Sequence, residues 1–210
     1  MGILVMVLGP SGSGKTTSLR NFQPGEAEVF CVTGKPLPFR TKLAATPNAG
    51  YRDIYDRLTA NESLAYVIDD STYLMQFDNF ARAKVKGYDK FTEMALSFEF
   101  LLRAAAQTSP DTVVYFLHHP QFGEDGSPKP QTIGKMLDNQ LCVEGLFSLT
   151  LEAAVEEGRH VFRTNAHGIA KSPMGMLDPV VDNDLRAVDS ALREYWGLAP
   201  LGGGRYETQR

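Results

Sequence analysis

Apolar positions follow two rhythms along this chain: short unbroken runs, and longer stretches in which they recur every three or four residues. Residues 3–8 are apolar throughout, the pattern of a strand buried on both faces of a parallel sheet. Similar runs at 27–33, 64–68 and 112–117 predict three further strands. Between them 15–22, 51–60, 71–85 and 91–107 read as helices. The clearest is 91–107, where Phe91, Met94, Ala95, Phe98, Leu102 and Ala105 share one face. Residues 146–155 and 160–165, separated by Glu156-Glu157-Gly158, predict a β-hairpin. A last helix starts near Asn183-Asp184, a good cap, and carries the stripe Leu185, Val188, Leu192, Tyr195 and Trp196. Residues 34–50 hold three prolines with Lys35, Arg40 and Lys42 and read as loop. Residues 120–131 read as a mobile loop, followed by a short helix near 133–137. The alternation predicts a three-layer α/β domain over residues 1–196, with a mostly parallel central sheet, a C-terminal β-hairpin and a flexible tail at 197–210.

Between the first strand and the first helix lies Gly9-Pro10-Ser11-Gly12-Ser13-Gly14-Lys15-Thr16, which fits Gly-x-x-x-x-Gly-Lys-Thr in its required strand–loop–helix context. The glycines let successive backbone N–H groups converge on phosphate oxygens. This Walker A motif, or P-loop, predicts ATP with Mg²⁺ held by Gly9, Ser11, Gly12, Ser13, Gly14, Lys15, Thr16 and Thr17. Pro10 has no N–H to offer. Lys15 is expected on the β and γ phosphates, Thr16 on Mg²⁺ and Thr17 near the α phosphate. Residues 64–69 have the form of a Walker B strand, whose terminal Asp69 joins Thr16 in the metal shell. Asp70 then falls where many ATPases orient the attacking water; its competing role is to cap the helix ahead of Ser71-Thr72.

His118-His119 closes the strand that follows. One of the pair can sense the γ-phosphate, while its neighbour must face away. A histidine merely marking the strand's exit to solvent is the plainer reading. Lys135 and Lys171 complete the candidates. Lys171, in Ala170-Lys171-Ser172-Pro173-Met174-Gly175-Met176, is either a cation offered to a neighbouring subunit's site or a solvated surface lysine. Arg82, Lys84, Lys86 and Lys90 form a solvated helix face or a track for a phosphate backbone.

Composition narrows these readings. A chain of 210 residues, 43% apolar and 22% charged, suits one domain. A net charge of −4 excludes a globally basic nucleic-acid binder and leaves only a local patch for such a partner. Cys31 and Cys142 form no Cys-x-x-Cys pair, the four histidines show no zinc spacing, and both thiols are expected buried and reduced. No basic leader and no membrane-length apolar run is present, so a soluble cytoplasmic protein with no membrane contact is expected. No Asn-Lys-x-Asp sequence occurs, which argues against a GTPase.

The order of these motifs resembles a known group. Walker A is followed by Gly34-Lys35-Pro36-Leu37-Pro38-Phe39, Val67-Ile68-Asp69-Asp70-Ser71, Phe116-Leu117-His118-His119, Gly134-Lys135-Met136-Leu137-Asp138 and the Lys171 segment. Together they resemble the phage-encoded RecA-core P-loop ATPases of the AAA-family ATP-binding protein type, including those of single-strand annealing and recombination. The resemblance spans residues 3–196. It implies a RecA-like core, ATP hydrolysis, a homo-oligomer and single-stranded DNA as partner, with the loop after His119 where RecA-like proteins contact DNA. One departure stands out: RecA carries a catalytic glutamate at the end of its second strand, where this chain reads Val32-Thr33-Gly34-Lys35. Asp70 would take its place. Two other readings compete, a small nucleotide kinase and a non-hydrolysing nucleotide-dependent assembly switch. The absence of arginine from 120–131 weighs against a kinase lid.

Overall fold

The computed structural model describes residues 1–123, 126–134, 137, 141–165 and 168–202. Its centre is an eight-stranded sheet ordered β10-β9-β8-β1-β5-β4-β2-β3. The strands are β1 (Ile3–Leu8), β2 (Glu28–Cys31), β3 (Ala44–Pro47), β4 (Ala65–Asp69), β5 (Val113–His118), β8 (Leu149–Glu156), β9 (Arg159–Arg163) and β10 (Val180–Asp182). Every pairing from β8 across to β3 is parallel, and β9 and β10 add antiparallel strands at one edge. Parallel strands buried on both faces need apolar residues at every position, and β1 shows the division. Leu4, Met6 and Leu8 point into one core, Val5 and Val7 into the other.

Helices α1 (Tyr51–Ala60), α2 (Thr72–Ala81) and α3 (Asp89–Ala106) bury Ile54, Leu74 and Phe98 in the first core. Helix α4 (Leu185–Trp196) and a 3-10 helix, Thr16–Asn21, cover the second with Leu185, Val188, Leu192 and Leu19. The expected apolar face of α3 is buried through Met94, Ala95, Phe98, Leu102 and Ala105. Asp184 caps α4 as expected, accepting hydrogen bonds from the Arg186 and Ala187 N–H groups.

Several expectations need correction. The helix expected over 15–22 is a 3-10 helix from Thr16 to Asn21, where the Ser18 hydroxyl competes for the backbone by donating to the Lys15 carbonyl at 2.6 Å. The stretch 34–50 contains the edge strand β3, whose Pro47 is tolerated there. Residues 120–131 are not a structureless loop: β6 (Pro120–Phe122) and β7 (Pro128–Pro130) form a two-stranded antiparallel hairpin. Strand β10 extends the expected β8–β9 hairpin by one. Cys31 is buried but Cys142 is exposed. The helix expected near 133–137 falls partly outside the described residues, and Ile133 and Gly134 form a bend. Of the tail expected at 197–210, Leu198 and Leu201 pack against the second core, and residues 203–210 lie outside the described residues. Among the described residues no helix is long and apolar enough to cross a membrane.

Candidate functional site

Parallel strands end along one edge of a sheet, and the loops that leave them share one cleft there. Here the C-terminal ends of β1, β2, β4 and β5 bring together Gly9–Thr17, Thr33, Asp69-Asp70 and His119. All of these but Gly9, Pro10 and Ser13 line a cleft of ≈ 390 Å³, together with Lys35, Pro36, Pro38, Tyr73 and His160. Strand β5 lies between β1 and β4, so the glycine-rich loop and the two aspartates face each other across one intervening strand.

Of the glycine-rich loop, Ser11, Gly12, Gly14, Lys15, Thr16 and Thr17 line the cleft, while Gly9 and Ser13 are buried beneath it. Gly14 sits at φ +94°, a backbone state that side chains resist, and a Cβ there would lie 2.9 Å from His160 Nδ1. The Lys15 ammonium donates to the Gly9 and Pro10 carbonyls at 2.7 and 3.1 Å. Burial draws its pKa down to about 8, against the countering charges of Asp70 and Asp69.

Thr16 Oγ1 donates to Asp69 Oδ1 at 2.9 Å, joining the two motifs across 53 positions of sequence. Asp69 is buried at the end of β4. Burial pushes its carboxyl up to about 6, reinforced by the like charge of Asp70 and opposed by the Thr16 hydrogen bond. This is an oxygen pair, one neutral and one anionic, in a site that disfavours an uncompensated carboxylate.

Asp70 leaves the strand in the left-handed region, at φ +61°. Such backbone costs of order 1 kcal/mol and persists where surrounding contacts hold it. Two contacts do so. Thr33 Oγ1 donates to Oδ2 at 3.1 Å, and His119 Nε2 donates to Oδ1 at 3.2 Å. Burial pushes the Asp70 carboxyl up, yet these hydrogen bonds and the charges of His119 and Lys15 outweigh it and leave it below the usual range. The side chain therefore serves the cleft rather than capping α2, whose N-terminus shows no side-chain cap.

The two histidines part company as strand alternation requires. His119 lines the cleft with its ring edge-on to Tyr73 at 5.8 Å. His118 is fully buried and does not reach the cleft, which corrects its candidacy as phosphate sensor. Its Nε2 meets the Gln131 carbonyl and its Nδ1 the Ser71 hydroxyl, both at 2.8 Å. A carbonyl only accepts, so Nε2 carries the proton and Nδ1 accepts from Ser71. Burial pushes the His118 pKa down to about 4. Its role is to tie the base of the β6–β7 hairpin to α2.

Lys171 pairs through its backbone with Thr150, near the start of β8, and does not line this chain's cleft. Lys135 lies outside the described residues. Sequence reasoning missed Thr33, Lys35, Tyr73 and His160 as cleft residues. Thr33 was legible in principle as the position just past a parallel strand. His160 comes from the far hairpin, where its Nδ1 meets the Ser13 carbonyl at 3.1 Å, and no local pattern announces it.

No protein-family model matches the chain, and no curated protein sequence matches it.

Proposed function

We propose that the cleft binds ATP with Mg²⁺ and hydrolyses it, on a RecA-like P-loop core. The observation that carries this reading is the Thr16–Asp69 hydrogen bond. It unites the last residue of a Gly-x-x-x-x-Gly-Lys-Thr loop with the carboxylate ending an apolar strand, across one intervening strand. Few other chemistries need that pairing. A hard divalent cation is suited by one hydroxyl and one carboxylate, with phosphate and water oxygens completing its shell. Thr16 and Asp69 would hold it, and it would neutralise charge on the phosphates.

Around that anchor each residue has a task. Lys15 exchanges its two loop carbonyls for the β and γ phosphate oxygens. The backbone N–H groups of residues 11–16 surround the phosphates, and Thr17 lies beside the α phosphate. Asp70, fixed by Thr33 and His119, orients the water that attacks the γ-phosphorus, and the leaving group is ADP. His119 reports the γ-phosphate from the same side.

Single-stranded DNA and a homo-oligomer enter this proposal from the family resemblance, as does a place in phage recombination or replication. The β6–β7 hairpin, expected as the DNA contact, offers only Lys129 as a charged side chain among its described residues. A better-suited surface is the α2–α3 connection. The last turn of α2 and this connection present Phe80 and Tyr88, 77% and 87% exposed, along with Lys84 and Lys86. Flat rings for stacking and cations for phosphates suit a single strand.

The test is titration calorimetry with a non-hydrolysable ATP analogue. Binding to the wild type should require Mg²⁺ and should weaken at least ~10²-fold in Lys15→Ala, a loss of about 2.7 kcal/mol. Equal binding by the two proteins would remove the assignment.

A further inference from the structure

The cleft's charges do not balance, and one cation in it has no assigned partner. Asp69 and Asp70 bring two carboxylates, against which Lys15 supplies one ammonium. A magnesium–polyphosphate complex is itself anionic, so a site that hydrolyses it needs further positive charge where the transition state develops it. One of the two readings of Lys171 from sequence was a cation offered to a neighbouring subunit's site. The chain already carries one in its own cleft.

Lys35 lines the cleft opposite the glycine-rich loop, on the segment that leaves β2 beside Asp70. Its backbone is fixed by a built turn. Gly34 N donates to the Cys31 carbonyl at 3.1 Å, and Gly34 sits at φ +68° against the Asn48 side chain. A Cβ on Gly34 would lie 2.1 Å from Asn48 Oδ1, so glycine alone fits and Lys35 leaves the turn in one direction. Pro36 stiffens the wall that follows. The Lys35 ammonium lies over the Tyr73 ring, 6.0 Å from its centroid, and that ring meets His119, which holds Asp70. Among the described residues Lys35 forms no ion pair. It is a cation carried on a rigid base, parked on an aromatic face and free to move to an anion.

We infer that Lys35 is a catalytic residue that contacts the γ-phosphate in cis, closing the site from the β2 side and distinguishing ATP from ADP. Tyr73 is its resting place between turnovers, and Thr33, two residues earlier, keeps the same segment in register with Asp70. This inference rests on the nucleotide reading of the cleft and goes beyond it: it names the residue that recognises the terminal phosphate, and it makes the charge at that position internal to one chain.

The experiment compares wild type, Lys35→Ala, Lys35→Arg and Lys15→Ala by calorimetry, with Mg²⁺ and either ADP or the non-hydrolysable ATP analogue, alongside phosphate release from ATP. Lys35 is exposed, so its substitution should leave the thermal transition in place, which circular dichroism checks. In Lys35→Ala affinity for the triphosphate should fall about 10-fold while ADP affinity stays within about 2-fold, and kcat should fall ~10²-fold. Lys35→Arg should keep the triphosphate preference. Lys35→Ala with unchanged affinities and turnover, while Lys15→Ala loses both nucleotides, would overturn this inference alone. Wild type that binds neither nucleotide would overturn the underlying reading, and the inference with it.

Discussion

Asp69 is the residue at which burial most plainly opposes ionisation in the cleft. Its folded pKa is about 6, against an ordinary value of 3.8. The folded state therefore favours the protonated form, and the contribution to stability is present below about pH 3.8 and is lost as pH rises through 6. Asp69→Asn removes the titration while keeping an oxygen for Thr16. The variant should be more stable than wild type by on the order of 2 kcal/mol at pH 7.5, an advantage that shrinks as pH falls toward 5. Denaturant unfolding at the two pH values measures it. The same variant should lose Mg²⁺-dependent nucleotide binding, which would separate a functional carboxylate from a merely awkward one. The adjacent histidines give a second contrast. His119→Ala should leave the melting temperature nearly unchanged and lower turnover ~10²-fold, as expected for a group that acts on the reacting centre. His118→Ala should instead cost about 2–4 kcal/mol, because it empties a buried position between Phe98, Ser71 and Gln131. If the two variants exchanged these phenotypes, the assignment of His119 to the cleft would be wrong.

At the level of elements, what the sequence made legible follows from how much each element depends on its own residues. Strands β1, β4 and β5 are unbroken apolar runs because both faces are buried, and α3 shows its stripe over 18 residues. The glycine-rich loop is legible because its chemistry demands particular residues at fixed spacing. Elements held in place by their neighbours were not legible. β3 and β10 are short edge strands, with four and three residues, defined only by the partner they pair with. The β6–β7 hairpin begins and ends in proline, a residue that usually signals its absence. The site divides in the same way. Lys15, Thr16, Asp69 and Asp70 belong to motifs, but His160 reaches the loop from a hairpin nearly 150 residues on, by an antiparallel register that no local pattern fixes. Choosing between His118 and His119 needed the strand's absolute orientation, which alternation alone does not give.

For the whole molecule, one buried polar cluster joins the α4 layer to the sheet. Arg193, 4% exposed, bonds Asp189 and donates to the carbonyls of Asp111, Ala199 and Leu64, while Asp189 also accepts from the Tyr115 hydroxyl at 2.6 Å. These carbonyls lie just before β4 and β5 and just after α4, at the opposite end of the sheet from the cleft. Removing one partner leaves the other charge buried and unpaired. Arg193→Ala should therefore destabilise the fold by about 3–5 kcal/mol, read as a loss of denaturation midpoint at unchanged slope. A loss under 1 kcal/mol would mean that α4 is held by its apolar face alone. The strands meanwhile deliver Lys15, Thr16, Asp69, Asp70 and His119 to the other edge, where the proposed chemistry takes place. The most direct measurement of that chemistry is phosphate release from ATP by the purified chain, with and without single-stranded DNA, beside Lys15→Ala. Mg²⁺-dependent release that disappears in Lys15→Ala, and that rises when DNA is added, is the predicted result. Release that persists undiminished in Lys15→Ala would contradict the account at its centre.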